Sequence, residues 1–386
     1  MDTETTTLMV ILLLTAVVTP LTSCLLRLPR PRASGTEGEG AGALTEEEEK
    51  ALPPLSVVIP THDNAHSLAA NLPAILTQRY PAGFEVIIVD ESSTDDTDDV
   101  LTRLKNAHDN LYVTFIPPTS QWVSRRKLAM TVGAKAARNE WMVFMDATCG
   151  IESDRWLTAM ARHVTDGVDM VMGYTSLGAG AGALRRFRQM SATCMAFRQA
   201  DRGTAYRCAG STLLVRRQSF AGGGCFSNNL QYVRGEYDFM VNNMARKHNT
   251  ATDISPEATA RRRTDTAEWT AEQMTYMETR RHLARSFTYR LPHNISSAVL
   301  IAAYAVPAAG IALAAARHDM LLAAAAAAAL VLCGTLRGVI AGRAARAFGE
   351  RFNPIALPFL EIGALCSAAA TMLRYSRSDK SEYIRR

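Results

Sequence analysis

Acidic side chains follow two predicted strands at the points where those strands end. Asp146 comes directly after the apolar segment 141–145, and Asp90 ends the apolar segment 84–90. In open parallel sheets, ligands bind beyond the carboxyl ends of the strands. A carboxylate at such an edge can hold a divalent cation or accept a hydrogen bond from a ribose hydroxyl. A strand-end aspartate can equally cap the helix that follows, and this alternative stays open for each acid taken alone.

Alternating strands and helices must position these acids. Apolar segments that predict strands alternate with segments of helical periodicity, beginning at Leu55 and continuing to Met145. This βαβ repetition predicts an α/β domain with a mostly parallel sheet covered by helices on both faces. Neither a GxGxxG nor a GxxxxGK[ST] motif occurs, so neither a Rossmann dinucleotide site nor a P-loop is supported.

Composition limits the class of protein. The chain has 386 residues and a net charge of only +5, which is too weak to indicate a nucleic-acid partner. Its seven cysteines are odd in number and include no CxxC pair. They therefore predict reduced thiols in a cytosol-facing protein rather than a disulfide or zinc framework.

Apolar segments near both ends of the chain predict membrane association. Residues 8–26 carry no charge and approach the ~20 residues that span a bilayer. Arginines follow this segment, which predicts an uncleaved anchor over residues 1–28 with its N-terminus outside. Two further apolar runs joined by a short loop predict a transmembrane helical hairpin over residues 285–342.

The remaining segments complete the predicted organisation. Residues 29–54 are acidic and rich in Gly and Ala, and are predicted to be a flexible linker to a domain over residues 55–284. Residues 343–386 are predicted to be an interfacial or re-entrant segment, because a spanning helix would leave the basic tail outside. The protein is thus expected to be a multi-pass protein of an inner or plasma membrane, with its large domain in the cytoplasm.

Four segments within residues 55–244 together resemble the family 2 glycosyltransferases, whose catalytic domain has the GT-A fold. They are LSVVIPTHDN from Leu55, FEVIIVDESSTDDT from Phe84, KLAMTVGAKAARNEWMVFMDATC from Lys127, and Asp154-Arg155-Trp156-Leu157. Their order and spacing are more specific than any one segment. The resemblance implies that residues 55–284 are a GT-A catalytic domain.

The resemblance also implies a donor site. In the family, the end of the first strand and the acid after the second embrace the nucleoside, and a DxD motif carries a divalent metal that bridges the diphosphate. Here the motif is Asp146-Ala147-Thr148, so a Mg²⁺ or Mn²⁺ ion would meet a hydroxyl where the family has a second acid. The implied metal ligands are Asp146 and Thr148, and the implied donor-binding residues are Pro60, Thr61, Asn64, Asp90, Ser92, Lys127 and Asp146.

Two acids compete for the role of catalytic base. The segment 233–247 resembles the family's acidic motif on the acceptor side, and inverting transfer needs a carboxylate that takes the proton from the acceptor hydroxyl. Alignment on the acid–hydrophobic pair Asp238-Phe239 selects Glu236, whereas alignment on acid type selects Asp238. Either acid could instead belong to a helix N-terminus.

Basic residues further along leave another choice open. Arg261, Arg262 and Arg263 could clamp a diphosphate or border the membrane. The segment Glu278–His282 only faintly resembles the QxxRW signature of processive synthases, since Gln and Trp are both absent, which disfavours a processive polysaccharide synthase.

The sequence therefore predicts a membrane-anchored inverting glycosyltransferase. It would move a sugar from a nucleotide-diphosphate sugar to the hydroxyl of a glycan or lipid-linked acceptor, with membrane lipid as a further partner and no nucleic acid. The alternative is a catalytically silent relative that serves as a membrane scaffold or sugar-nucleotide sensor.

Overall fold

A computed structural model describes residues 3–29, 44–117, 124–178, 180–222 and 224–383. Its strands are β1 (Leu55–Thr61), β2 (Phe84–Asp90), β3 (Leu111–Phe115), β4 (Trp141–Met145), β5 (Cys149–Ile151), β6 (Met170–Gly173), β7 (Thr175–Leu177), β8 (Thr212–Arg216), β9 (Thr250–Asp253) and β10 (Ala260–Arg262). Its α-helices are α1 (Thr3–Leu21), α2 (Glu46–Lys50), α3 (Ala65–Leu76), α4 (Thr97–Ala107), α5 (Arg125–Ala136), α6 (Trp156–Ala161), α7 (Ala183–Arg202), α8 (Arg217–Gly222), α9 (Glu236–Met244), α10 (Thr266–His282), α11 (Ser286–Arg317), α12 (Met320–Ala347) and α13 (Leu357–Arg377). Two short 3₁₀ helices cover Pro354–Ala356 and Lys380–Glu382.

The larger sheet of the described residues has the strand order β3-β2-β1-β4-β8-β6-β9. Strand β8 is antiparallel to both of its neighbours, and the other adjacent pairs are parallel. All strands except β8 therefore end at the same edge of the sheet, which we call the carboxyl edge. This architecture confirms the predicted α/β fold with a mostly parallel sheet.

Alternate side chains of each central strand enter two separate hydrophobic cores. Val57 and Val143 pack in one core with Leu68 of α3, whereas Val58 and Phe144 pack in the other. Both faces of the sheet are thus covered, which explains why these strands are apolar throughout rather than alternating. Helix α5 approaches β1 closely at Gly133. A Cβ atom added at this position would clash with the side chain of Val58.

A second, three-stranded sheet has the order β5-β10-β7. Strand β10 is antiparallel to β5, and Arg262 lies opposite Cys149. Since β5 begins three residues after Asp146, this pairing brings β10 to the end of β4. The pairing of β10 with β5 therefore places Arg262 at the carboxyl edge.

The chain divides into two compact units. One comprises the N-terminal segment to Leu28 together with Ala183–Met195 and Phe287–Ala370, and the other comprises Pro29–Gly182, Ala196–Ser286 and Thr371–Arg386. The second unit contains both sheets. The predicted linker 29–54 lies largely outside the described residues, but its end forms α2, whose Thr45 and Glu48 make a reciprocal capping box.

Four helices of the described residues are long and apolar enough to cross a bilayer: Thr3–Leu21, Ser286–Arg317, Met320–Ala347 and Pro354–Arg377. The last of them contains most of the segment for which the sequence predicts an interfacial position. Small side chains from α11 and α12, such as Ala303, Ala326 and Ala329, pack around Leu12 of α1.

A buried ion pair joins two of the apolar helices. Helix α12 extends from Met320 to Ala347, so that Arg337 lies inside it. The Arg337 Nε atom donates to Glu361 Oε2 of α13 at 2.6 Å, and Nη1 donates to the carbonyl of Thr19 at 3.2 Å. Both charged side chains are buried and paired, which satisfies them away from water.

Candidate active site

Asp146 lies at the carboxyl edge, directly after β4, and two arginines reach it from different elements. Arg126 of α5 forms an ion pair with its Oδ1 atom, and Arg262 of β10 places Nη1 3.9 Å from its Oδ2 atom. The hydroxyl of Tyr237 in α9 donates to Oδ1 at 3.3 Å. Burial raises the pKa of Tyr237 well above its ordinary value, so this hydroxyl stays protonated and remains a donor.

Arg126 also binds Glu236, the first residue of α9. Its Nε atom lies 3.2 Å from Glu236 Oε1, so one guanidinium bridges the strand-end acid and a candidate base. Burial lowers the pKa of Arg126, but the combined charges of its acidic neighbours, with Glu236 the strongest, raise that pKa above its ordinary value. The structure thus brings two acids that are 90 residues apart in the chain into one cluster.

A glycine determines where α9 begins. Gly235 precedes Glu236 with φ of 92°, a left-handed conformation that favours glycine. A Cβ atom at this position would also lie 2.6 Å from Thr279 Oγ1. The backbone therefore turns sharply beside α10, and this turn aims Glu236 at Arg126.

Asp238, the competing candidate base, is held differently. Its Oδ1 atom accepts a hydrogen bond from the backbone N–H of Cys208 at 3.1 Å, and its Oδ2 atom lies 3.4 Å from Nε of Arg207. The Arg207 guanidinium stacks on the ring of Tyr276, 3.5 Å from its centroid. Asp238 therefore fastens α9 to the segment before β8, whereas Glu236 shares its cation with Asp146.

The predicted nucleoside side of the site lies at the ends of β1 and β2. Thr61 pairs in register with Asp90, so the two strand ends are adjacent. Asp90 accepts a hydrogen bond from Ser93 Oγ at 2.5 Å, and Ser92, in a left-handed conformation with φ of 61°, donates to the carbonyl of Ile116 at 2.6 Å. Pro60 is the residue before Thr61 in β1 and is likewise buried.

Two polar atoms beside these strand ends have no hydrogen-bond partner within the described part of the chain. They are Thr61 Oγ1 and Glu91 Oε1, both buried. Burial raises the pKa of Glu91, although the nearby charge of Arg126 opposes this change. Asn64, which follows at the start of α3, donates its side-chain amide to the carbonyl of His62 at 2.7 Å.

Lys127 lies beneath the site rather than in it. Its side chain is fully buried, and its Nζ atom donates to the carbonyls of Asn229 at 2.5 Å and Tyr232 at 2.8 Å. Burial lowers the pKa of Lys127 to about 8. Its neighbour Arg126 is the residue of α5 that contacts the acids.

The divalent metal implied by the resemblance can be tested against the residues present. Both oxygens of Asp146 face guanidinium groups, and the backbone carbonyl of Thr148 accepts a hydrogen bond from the backbone N–H of Arg263 at 3.4 Å. Among the described residues, no group of three or more His, Cys, Asp or Glu side chains could hold a metal ion. Mg²⁺ and Mn²⁺ prefer oxygen ligands, and a carboxylate already paired with two cations does not provide such a site. The residues at this position therefore do not fit a resident divalent cation.

Sequence reasoning missed three contributors to this cluster. Arg126 stands among the consecutive cations Arg125, Arg126 and Lys127, and only the rotation of α5 decides which of them meets the acids. Tyr237 directly follows Glu236, and Glu91 directly follows Asp90. Their positions next to predicted site acids are the sequence feature that could have identified them.

Comparisons with known proteins support the same family. Residues 56–223 match the model of glycosyl transferase family 2. The chain is 30% identical over 124 residues to the glycosyltransferase AglE of Haloferax volcanii, a match that covers 32% of this chain and spans only 39% of that relative's length.

Two solved structures are similar to this chain. The mannosyltransferase PcManGT of Pyrobaculum calidifontis, solved in complex with GDP-Man and Mn²⁺, superposes with a TM-score of 0.54 at 16% identity, over 96% of this chain and 98% of its own. The S. aureus TarS structure with UDP-GlcNAc gives a TM-score of 0.43 at 15% identity, over 84% of this chain and 92% of its own. Residues 56–223 are therefore similar to family 2 glycosyltransferases, and the chain shares its fold with PcManGT.

Proposed function

We propose that the protein is an inverting glycosyltransferase that moves a sugar from a nucleotide-diphosphate sugar to an acceptor hydroxyl. The observation that supports this most strongly is the bridge from Asp146 through Arg126 to Glu236 at the carboxyl edge. It combines cationic groups suited to phosphate with a carboxylate suited to proton transfer, at the edge where open α/β sheets bind ligands.

The donor's nucleoside would lie over the ends of β1 and β2. Asp90 and the segment Pro60–Thr61 form adjacent strand ends there, and the buried Thr61 hydroxyl has no hydrogen-bond partner among the described residues. Ser92 and Asn64 lie in the loops after β2 and β1, where their side chains donate to the backbone carbonyls of Ile116 and His62. Lys127 would contribute indirectly, because it anchors the segment that carries Asn229 and Tyr232.

Glu236 is the better candidate for the catalytic base. In a single displacement, the acceptor oxygen forms a bond to the anomeric carbon while the bond from that carbon to the diphosphate breaks, and its electron pair leaves with the diphosphate. The acceptor proton passes to a carboxylate as the new bond forms. Glu236 shares Arg126 with Asp146, whereas both oxygens of Asp238 are held by Cys208 and Arg207.

The acceptor would be a glycan or a lipid-linked molecule at the cytoplasmic face of an inner or plasma membrane. The four apolar helices are suited to a bilayer, and arginines flank several of them, which favours a cytoplasmic position for those flanks. This part of the proposal rests on composition and charge.

A donor panel tests the proposal. The full chain in lipid nanodiscs is mixed with GDP, UDP, dTDP and CMP sugars, and release of the nucleotide is measured alongside thermal unfolding. We expect one class of donor both to raise the unfolding temperature and to be turned over. Stabilisation by a donor without any release across the panel would instead identify the protein as a silent sugar-nucleotide sensor.

A further inference from the structure

We infer that this site neutralises the donor's leaving diphosphate with the guanidinium groups of Arg126 and Arg262 rather than with a divalent cation. The inference rests on the proposed function, because it concerns how the same donor is held. The site in question is the segment Asp146-Ala147-Thr148, where Thr148 stands in place of the family's second acid and Arg126 and Arg262 both approach Asp146.

The two arginines approach Asp146 from opposite sides of its carboxylate. Arg126 pairs with Oδ1, and Arg262 faces Oδ2 at 3.9 Å. One carboxylate therefore holds the two guanidinium groups close to each other. A diphosphate is an oxyanion like the Asp146 carboxylate but is larger. The oxygens on its two phosphorus atoms can accept hydrogen bonds from two guanidinium groups. Arginine forks suit such oxygens because each can donate two parallel hydrogen bonds.

Both guanidinium groups are anchored from behind. Arg262 donates to Ser211 Oγ at 3.1 Å and pairs with Glu272, while Arg126 pairs with Glu236. Each side chain is mostly removed from solvent, with exposed fractions of 26% for Arg126 and 11% for Arg262. Cations that are preorganised in this way need little rearrangement to receive an anion, which strengthens electrostatic stabilisation of a leaving group.

The acids around this position already have cationic partners. Arg126 pairs with Asp146 and Glu236, and Arg262 pairs with Glu272 and faces Asp146. A dication placed against Asp146 would lie beside two guanidinium groups and be repelled by both.

Strand β10 supplies a matched control. Arg261 precedes Arg262 and, because successive side chains of a strand point to opposite faces, it pairs instead with the exposed Glu152 at 2.7 Å. Substitution of Arg261 therefore removes the same charge from the same strand without removing a group from the site.

The test measures the affinity of the full chain in nanodiscs for GDP, UDP and inorganic pyrophosphate, by calorimetry, in EDTA and in Mn²⁺. We expect the wild type to bind a nucleoside diphosphate equally well under both conditions. Arg262→Gln should weaken that binding by about tenfold or more, as loss of a charge-assisted contact implies, while Arg261→Gln binds as the wild type does. Thr148→Asp should make binding depend on Mn²⁺, because it restores the missing acid.

Two results would overturn the inference, and they differ. Binding of GDP or UDP by the wild type in Mn²⁺ but not in EDTA would reject the arginine clamp and leave the proposed function standing. An absence of binding under both conditions would reject the proposed function and the clamp together. Should Arg262→Gln fail to fold, the comparison of EDTA with Mn²⁺ on the wild type still decides the matter.

Discussion

Asp146 and Asp253 lie at the same carboxyl edge of the sheet, but they differ in how their carboxylates are paired. Asp253 ends β9, which runs in the same direction as β4, and it is fully enclosed: Arg162 Nη2 and His163 Nε2 each lie 2.7 Å from its Oδ2 atom, and the N–H of Ser255 donates to Oδ1 at 2.7 Å. Asp146 instead shares Arg126 with Glu236 and has a second arginine only at 3.9 Å.

The difference separates an acid with partners of its own from an acid whose cations are shared with other acids. Burial alone would raise the pKa of Asp253, but the hydrogen bond from His163 and the charge of Arg162 hold it at about 2. Every oxygen of that cluster, which we call the Asp253 cluster, has a partner of its own. The cations around Asp146 are shared between acids, so Arg126 keeps Glu236 and Arg262 keeps Glu272 as a partner when they turn toward a ligand.

The largest expected effect distinguishes the two acids of α9. Glu236→Gln removes the proposed base and should lower turnover by about a thousandfold, the usual range for loss of general base catalysis. Asp238→Asn should lower it far less in folded protein, because Asp238 holds backbone N–H groups rather than the cation of the site. Steady-state release of nucleotide from the identified donor measures both. Equal losses in the two variants would remove the distinction between them.

The next effect concerns stability in the Asp253 cluster. Asp253→Asn leaves Arg162 and His163 without their buried carboxylate and should lower the free energy of unfolding by about 3 kcal/mol. Turnover per folded molecule should be unchanged. Denaturant unfolding together with an activity assay at low temperature checks both statements, and a normal stability would show that the enclosed acid is dispensable.

Asp146→Asn should give the reverse pattern with a smaller magnitude. The amide keeps a hydrogen-bonding oxygen but loses the charge that aligns Arg126 and Arg262, so turnover should fall by about tenfold to a hundredfold. Because Asp146 is partly exposed and its cations retain Glu236 and Glu272, unfolding should change by less than about 1 kcal/mol. A loss of stability matching that of Asp253→Asn, with normal turnover, would contradict the assignment.

The smallest effect is the pH dependence of the Asp253 cluster. The folded-state pKa of about 2 lies below the ordinary value of 3.8, so the stabilisation is present above pH 3.8 and is lost as pH falls toward 2. The difference in unfolding free energy between wild type and Asp253→Asn should therefore shrink over this interval. A difference that stays constant down to pH 2 would show that the Asp253 charge contributes nothing to it.

Much of the fold followed from periodicity, whereas the contacts of the site did not. The strand ends at Asp90 and Asp146 are visible in the sequence because apolar segments stop there. Which of three consecutive cations in α5 meets Asp146 depends on the rotation of that helix against β1, and this is determined by packing at Gly133. The position of Arg262 depends on β10 pairing with β5, a contact between residues more than a hundred positions apart.

The four long apolar helices illustrate the same limit. Apolar composition predicts these segments, but it does not predict the pairing of Arg337 in α12 with Glu361 in α13. Hydropathy reports how long a span is and leaves its internal partners undetermined.

The most direct test compares Glu236→Gln with Asp253→Asn, as equal amounts of folded protein saturated with the same donor. Asp253→Asn should release the nucleotide at the wild-type rate, and Glu236→Gln should still bind the donor but release the nucleotide about a thousandfold more slowly. Wild-type release by Glu236→Gln would contradict the claim that the Asp146–Arg126–Glu236 cluster performs the chemistry.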